Sequence, residues 1–319
     1  MNFASTRRLH PLAAALLLCS LAACGGGGGR DPVLGFDGTP AGTVGTTGTP
    51  GGATPPGTPP GTPPVVVTPV VALASAAPFG AFGGSAGITN QGINTVINAQ
   101  IGTTAVSTAV TGFHDPTPNC IYTETPLNIG NVTGGIFTAA PPPTAGCSSE
   151  GTAVTFAAAT QARADALAAY NALVAKPPGA AAGGGTGNLA GLTLAPGTYT
   201  SAPGSFMIQG GNLTLDAQGD PNAAWVFQMA TTLTVGGPGA TAPASVILIN
   251  GAQAKNVFWQ VGSAATINAA GGGTMDGTII TQTGAAISTP GNVTLVTING
   301  RVLSLNASVT MVNTIINLP

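Results

Sequence analysis

The chain of 319 residues carries 7 Lys+Arg, 9 Asp+Glu and 2 His, so charged side chains make up only 5% of it, against about 25% in an ordinary soluble domain. A net charge of −2 without a basic cluster leaves nothing to hold phosphates and argues against a nucleic-acid partner. With 49 Gly and 27 Pro and much of the rest Thr, Ala, Asn and Val, the composition suits turns and small-residue strands, and an all-β fold is expected.

At the N-terminus, Arg7 and Arg8 precede the apolar run Leu12 to Leu18, and Leu21-Ala22-Ala23 leads into Cys24, the three-part order of a secretory signal. The tetrad looks like a lipobox, which makes residues 1–24 a lipoprotein signal with Cys24 as the lipidation site. Acyl chains contribute about 0.8 kcal/mol per buried CH₂, so they anchor a protein without a spanning helix. A soluble secreted protein cut near Ala23 is the alternative. Gly at position 25 favours sorting to the outer membrane by resemblance to bacterial lipoproteins. Residues 25–71 are Gly, Pro and Thr with little else; such a segment cannot bury a core and is expected to be an extended linker. Beyond residue 23, mean hydropathy of +0.39 notwithstanding, no run of about 18 apolar residues occurs, so the only membrane contact expected is through the lipid.

Cys19 leaves with the signal, so the exported body retains Cys120 and Cys147, and an oxidising compartment favours a disulfide between them. Two thiols and one mature histidine, His114, make a poor zinc set. No metal or cofactor is expected.

From residue 72 to 150, short Val/Ile/Thr segments alternate with Gly and Asn, as in Gly87-Ile88-Thr89-Asn90-Gln91-Gly92-Ile93, and read as strand-turn units. One segment differs. Residues 152–176 are Ala-rich, with Phe156, Ala159, Leu167, Tyr170 and Val174 at helical spacing and Pro177-Pro178 as a stop, which predicts a helix packing that stripe, with Arg163 and Asp165 toward solvent. Strand-like runs then recur to the end: Ser205 to Ile208, Leu213 to Leu215, Trp225 to Gln228, Ser245 to Ile249, Val257 to Gln260, Gly277 to Ile280 and Gly300 to Leu303. Regular recurrence implies stacked coils. Aligned by eye, Leu233, Ala265, Ile287 and Val309 form an inward column, flanked by Thr232, Ala264, Ala286 and Ser308 on one side and by Thr234, Thr266, Ser288 and Thr310 on the other. Alternation along a strand turns both flanks outward, onto a flat surface with strands about 4.8 Å apart. Thr232, Thr234, Thr266, Ser288, Ser308 and Thr310 are therefore the candidate binding residues.

The stretch Leu213 to Gln228, the run Asn250-Gly251-Ala252-Gln253-Ala254-Lys255-Asn256-Val257-Phe258-Trp259-Gln260, and the upstream Phe79-Gly80-Ala81-Phe82-Gly83-Gly84-Ser85 closely resemble the bacterial and fungal ice-binding-protein-like family. The resemblance covers roughly residues 72 to 317. It implies a β-solenoid of roughly triangular section with one long helix alongside, and binding to an ice crystal surface through one flat face, by a monomer. Members often carry Thr-Ala/Gly-X-Thr/Asn patterns there. Thr104-Ala105-Val106-Ser107 and Ser107-Thr108-Ala109-Val110-Thr111 come near, whereas the C-terminal columns mix Ala with Thr and Ser. A threonine lattice offers methyls that order water and hydroxyls that anchor it; equally, Thr is simply a good exposed strand residue.

Two other classes compete. A lipid-anchored solenoid on a stalk also suits a surface adhesin for a non-ice polymer. A β-helical polysaccharide enzyme needs clustered carboxylates; Asp216 and Asp220 are the only close pair in the C-terminal half and read as turn closers, while Asp276 stands alone. Trp225 and Trp259 recur at matching coil positions and read as core, and Lys255 and Arg301 as solvated coil edges. No enzyme is expected.

Overall fold

The computed structural model describes residues 70–319; the signal, Cys24 and all but the last two residues of the linker lie outside the described residues. The body is built from short, almost entirely parallel strands in three sheets of 13, 7 and 3 strands with one α-helix, Ala153–Val174. Each coil visits three faces. Trp225–Met229, Leu233–Val235 and Val246–Ile249 are one such circuit, and their counterparts in a neighbouring coil, the next one for the first two and the preceding one for the third, pair with them residue for residue. All-parallel stacking leaves side chains of one face in straight columns.

Coil order in space is not coil order in sequence. The seven-stranded sheet runs Phe206–Ile208, Leu233–Val235, Ala265–Ile267, Ala285–Ile287, Val309–Met311, then Ile88–Asn90 and Val110–Thr111. The N-terminal coils thus sit on the C-terminal end of the stack, and Thr314–Asn317 pairs with Thr95–Asn98. Between them the helix carries the chain back along the body: its 22 residues span about 33 Å, close to the roughly 29 Å covered by six strand spacings. Sequence periodicity reports neighbours within a run of coils and is silent on where the first run docks.

Bulky apolar residues fill the interior. Phe227 stacks on Trp259 at 4.0 Å and on Tyr199 at 5.6 Å, with Phe206 edge-on. Both tryptophans are fully buried, and their indole N–H groups donate to the carbonyls of Leu194 and Asp276, the satisfaction a buried indole requires. The core reading of Trp225 and Trp259 holds, but they do not share a position: Trp225 pairs with Val257 and Trp259 with Phe227.

The helix packs mainly its alanines, with Tyr170 and Leu173 the large residues among them, so Ala159 and Tyr170 of the expected stripe face the body and the rest of it does not. Thr155, Ala159, Ala162, Ala166, Ala169, Tyr170 and Leu173 are buried, whereas Phe156, Leu167 and Val174 are exposed. Small residues let the helix axis approach the sheet, where Val226, Phe258, Ile280 and Leu303 form the opposing surface. Arg163 is not a solvent residue either: its guanidinium donates to the Leu305 carbonyl and to Asn306 Oδ1. Asp165 accepts the Ser75 N–H at 3.0 Å and its hydroxyl at 2.5 Å, bonds that hold its carboxyl below the usual range. Thr152 caps the N-terminus reciprocally with Thr155, the geometry of a capping box.

Two long strands, Thr274–Thr281 and Val296–Ser304, turn a corner of the body in mid-strand. Gly277 and Gly300 pair at that bend. A Cβ on Gly300 would stand 1.8 Å from the Gly277 carbonyl oxygen, and Gly277 has φ +108°, so only glycine fits.

Candidate functional site

The three faces differ in what they offer. One is covered by the helix. A second carries two outward columns on consecutive coils: Thr274, Thr297, Ile315, Val96 and Asn131 in the first, Asp276, Asn299, Asn317 and Asn98 in the other. The amides of the second column form a directional chain, Asn98 to Asn317 (2.8 Å), Asn317 to Asn299 (3.3 Å) and Asn299 to Asp276 (3.0 Å). Burial pushes the Asp276 carboxyl up, opposed by the Asn299 hydrogen bond. This face spends its polar groups on itself.

The third face is the seven-stranded sheet, three residues per strand except for the two of Val110–Thr111, with the second residue outward. Register fixes that column as Met207, Thr234, Thr266, Ala286, Thr310, Thr89 and Thr111. Five of the seven are threonine. The preceding outward column is Thr232, Ala264, Gly284, Ser308 and Gly87, joined through the backbone hydrogen bonds of the residues beside them. Beyond it, Thr231, Ser263, Thr283 and Ala307 continue the ladder at the coil corner. None of these residues is charged. Within a column the spacing is about 4.8 Å, and between the two columns on one strand about 6.6–7 Å.

At the end near Phe206–Ile208 the hydroxyls of Ser205, Thr231 and Thr232 bond to one another and to the Gly204 carbonyl. Further along, Thr234, Thr266, Thr310, Thr89 and Thr111 are half-buried, and among the described residues their hydroxyls have no side-chain partner. Each of these threonines keeps a hydroxyl free for water. The backbone beneath is hydrogen-bonded on both sides of every inner strand, so the lattice is rigid without further support.

The candidate residues fare unequally. Thr234, Thr266 and Thr310 lie in the middle column, and Thr232 and Ser308 in the neighbouring one. Ser288 does not belong. Ala285, not Ile287, pairs with Ala265 and Val309; Ser288 is a buried turn residue at φ +62° that receives the Asn292 amide at 3.3 Å. Ala286 accordingly moves into the middle column. A slip of two residues keeps the inward–outward alternation intact, so pattern cannot detect it. Thr89 and Thr111 were missed because the N-terminal coils were not placed on this sheet. Of the near-motifs around Thr104, only Ala109 and Thr111 reach the face; Thr104 and Ala105 lie on a strand of the large sheet and Ser107 opens a 3₁₀ turn with its hydroxyl buried.

The residues an enzyme would use are tied elsewhere. Asp216 accepts the Gln218 N–H and the Asn250 amide, and Asp220 the Asn222 N–H, the turn-closing role expected of them. Arg301 departs from expectation: it is half-buried, donating to the Ala77 carbonyl at 2.8 Å, and burial lowers its pKa. Lys255 is exposed. Cys120 and Cys147 form the expected disulfide.

A parallel solenoid with a helix along one face and an uncharged, hydroxyl-studded flat sheet on another is a surface binder rather than a catalyst. The chain belongs to the ice-binding-like family, whose model matches residues 82–317, a family of non-enzymatic binders. An ice-binding protein of Nostoc sp. (strain HG1) is 36% identical over 239 residues, covering 75% of this chain and 71% of that protein. Among solved structures, an ice-binding protein from an Antarctic biological consortium is 30% identical with a TM-score of 0.58, covering 79% of this chain and 92% of that one. One from the Antarctic ascomycete Antarctomyces psychrotrophicus is 31% identical with a TM-score of 0.57, covering 78% and 98%.

Proposed function

We propose that this protein adsorbs to ice through the seven-stranded sheet, with Thr234, Thr266, Thr310, Thr89 and Thr111 as the central column and Thr232 and Ser308 beside it. The observation that carries the reading is that column: unpartnered hydroxyls at strand spacing, on a face with no charge to hold water in a geometry foreign to a lattice. The relatives named above as ice-binding proteins support it. Acid–base chemistry plays no part.

The N-terminal sequence extends this to a tethered binder: a lipid on Cys24 and a Pro/Gly/Thr stalk would hold a monomeric body at the outer membrane. The described chain starts on the helix side, where Val70 and Val71 pack with the residues beneath the helix.

Thermal hysteresis with ice-crystal shaping on the purified protein tests the reading. A freezing gap or faceted crystals are expected. Smooth crystals from folded protein would overturn ice binding and turn the threonine face into the docking surface of a non-ice adhesin.

A further inference from the structure

Acid is concentrated in the segment joining the N-terminal coils to the helix. Asp115, Glu124 and Glu150 lie there, and no Lys or Arg occurs between residues 70 and 162. Glu124 is matched by His114, whose Nδ1 stands 2.7 Å from Oε1. Asp115 and Glu150 have no cation, although they are only 6% and 5% exposed. Glu150 Oε2 accepts the Tyr122 hydroxyl at 2.6 Å. Asp115 Oδ1 accepts the Thr117 N–H at 2.9 Å, while Oδ2 is buried with no partner, and the Asp115 side chain lies within hydrogen-bonding reach of Glu150.

Two carboxylates facing each other out of water cannot both stay ionised. A proton on the free oxygen of Glu150, directed at Asp115 Oδ2, removes one charge and satisfies the orphaned acceptor. We propose that Asp115 and Glu150 share a single proton that keeps this disulfide-closed segment shut, and that loss of the proton at alkaline pH lets it open.

Every group around the pair fits a proton rather than a charge partner. Tyr122 donates from the strand Ile121–Tyr122. From the strand Ile136–Ala139 comes the Thr138 hydroxyl, also buried and unpartnered. The Cys120 and Cys147 sulfurs lie beside the Glu150 carboxylate. On the outer side, His114 and Glu124 line a shallow pocket with Asp115, Pro118 and Cys120, the route by which water takes up the proton. Burial, then the Asp115 contact, pushes the Glu150 carboxyl up to about 8, and burial and Glu150 raise Tyr122 as well, so its hydroxyl stays a donor.

The raised value means that the closed form binds one more proton than the open form between the ordinary glutamate value of 4.5 and about 8. Closure is fully favoured below that window and is lost as pH rises through it, the opening constant growing about tenfold per pH unit.

Opening uncovers the buried Cys120–Cys147 bond. The test is the rate at which tris(2-carboxyethyl)phosphine reduces it in the purified full chain from pH 5 to 9, read by mass after alkylation and normalised to a small peptide disulfide. The normalised rate should climb by up to tenfold per pH unit between pH 5 and 8, and Glu150→Gln, which carries a permanent donor, should flatten it. Asp115→Asn serves as the second variant should the first fail to fold, with the same flattening expected. A flat wild-type profile overturns the proposal. So does a steep rate that 1 mM Ca²⁺ suppresses at pH 8 and a chelator restores, because the pair would then be neutralised by a cation.

Discussion

At the residue scale, the threonine column makes two demands on experiment. Thr266 is an inner member of it, half-buried and outward, paired with Thr234 and Ala286. Replacing it with Arg adds a long hydrated cation inside the lattice without touching the core. Thermal hysteresis should fall at least tenfold while the melting temperature moves by no more than a surface substitution allows, within about 0.5 kcal/mol. Ser288→Arg separates the face proposed from the one read by eye: buried at a left-handed turn, it should cost stability rather than ice affinity. The opposite change is as informative. Ala286 is the one gap between Thr266 and Thr310, and Ala286→Thr makes six threonines consecutive; hysteresis measured at equal concentration should rise. In sequence Ala286 was invisible as a gap, because Ile287 is the bulkier and more persuasive partner for Leu233. The true counterpart, Ala285, faces Ala265 and leaves room for its larger neighbours inside the coil.

At the element scale, the helix shows why composition located it and amphipathicity aimed it only in part, at Ala159 and Tyr170 but not at Phe156, Leu167 or Val174. An Ala-rich run ending at Pro177-Pro178 is legible as a helix, and its observed span, Ala153–Val174, lies inside the expected one. Which side faces the body is not legible. Large apolar residues normally mark the buried stripe, yet here close approach to Val226, Phe258 and Leu303 selects alanine. Ala166 is 1% exposed, so Ala166→Leu should overpack the contact and cost about 1–3 kcal/mol, whereas Leu167→Ala should fall within the range of a surface change. Urea unfolding of the two variants distinguishes this packing from the reverse. The disulfide, by contrast, was readable from cysteine count and compartment alone. It closes 27 residues of separation, a loop for which the chain-entropy model assigns about 3.5 kcal/mol; Cys120→Ser with Cys147→Ser should lower stability by up to that amount, measured at fixed pH.

At the scale of the whole molecule, the strands and three-faced repeat follow from short Val/Ile/Thr runs separated by Gly and Asn, but the closure of the stack does not. The first coils and the last are far apart in sequence; they meet through Phe79–Gly83 on Val296–Ser304, and through Thr314–Asn317, whose Ile315, Ile316 and Asn317 pair with Val96, Ile97 and Asn98 on one side and with Thr297, Ile298 and Asn299 on the other. Ile316 is fully buried, as are Ile97 and Ile298, while Asn317 passes the amide chain from Asn98 to Asn299. The same seam joins Thr310 to Thr89 on the threonine face, so two of its five threonines reach the lattice only through closure. Ile316→Asp puts an unpaired carboxylate into that apolar column, where burial of a lone charge is costly. Stacked coils obey nearest-neighbour energetics, so the damage should stay local. Chemical denaturation should change from one transition to two, the N-terminal coils detaching first, and hysteresis should fall as the face shortens although none of its residues has been altered. A single transition displaced to lower denaturant, with ice activity intact, would show that the helix and the pairings of Phe79–Gly83 and Ile88–Asn90 hold the N-terminal coils in place without Thr314–Asn317.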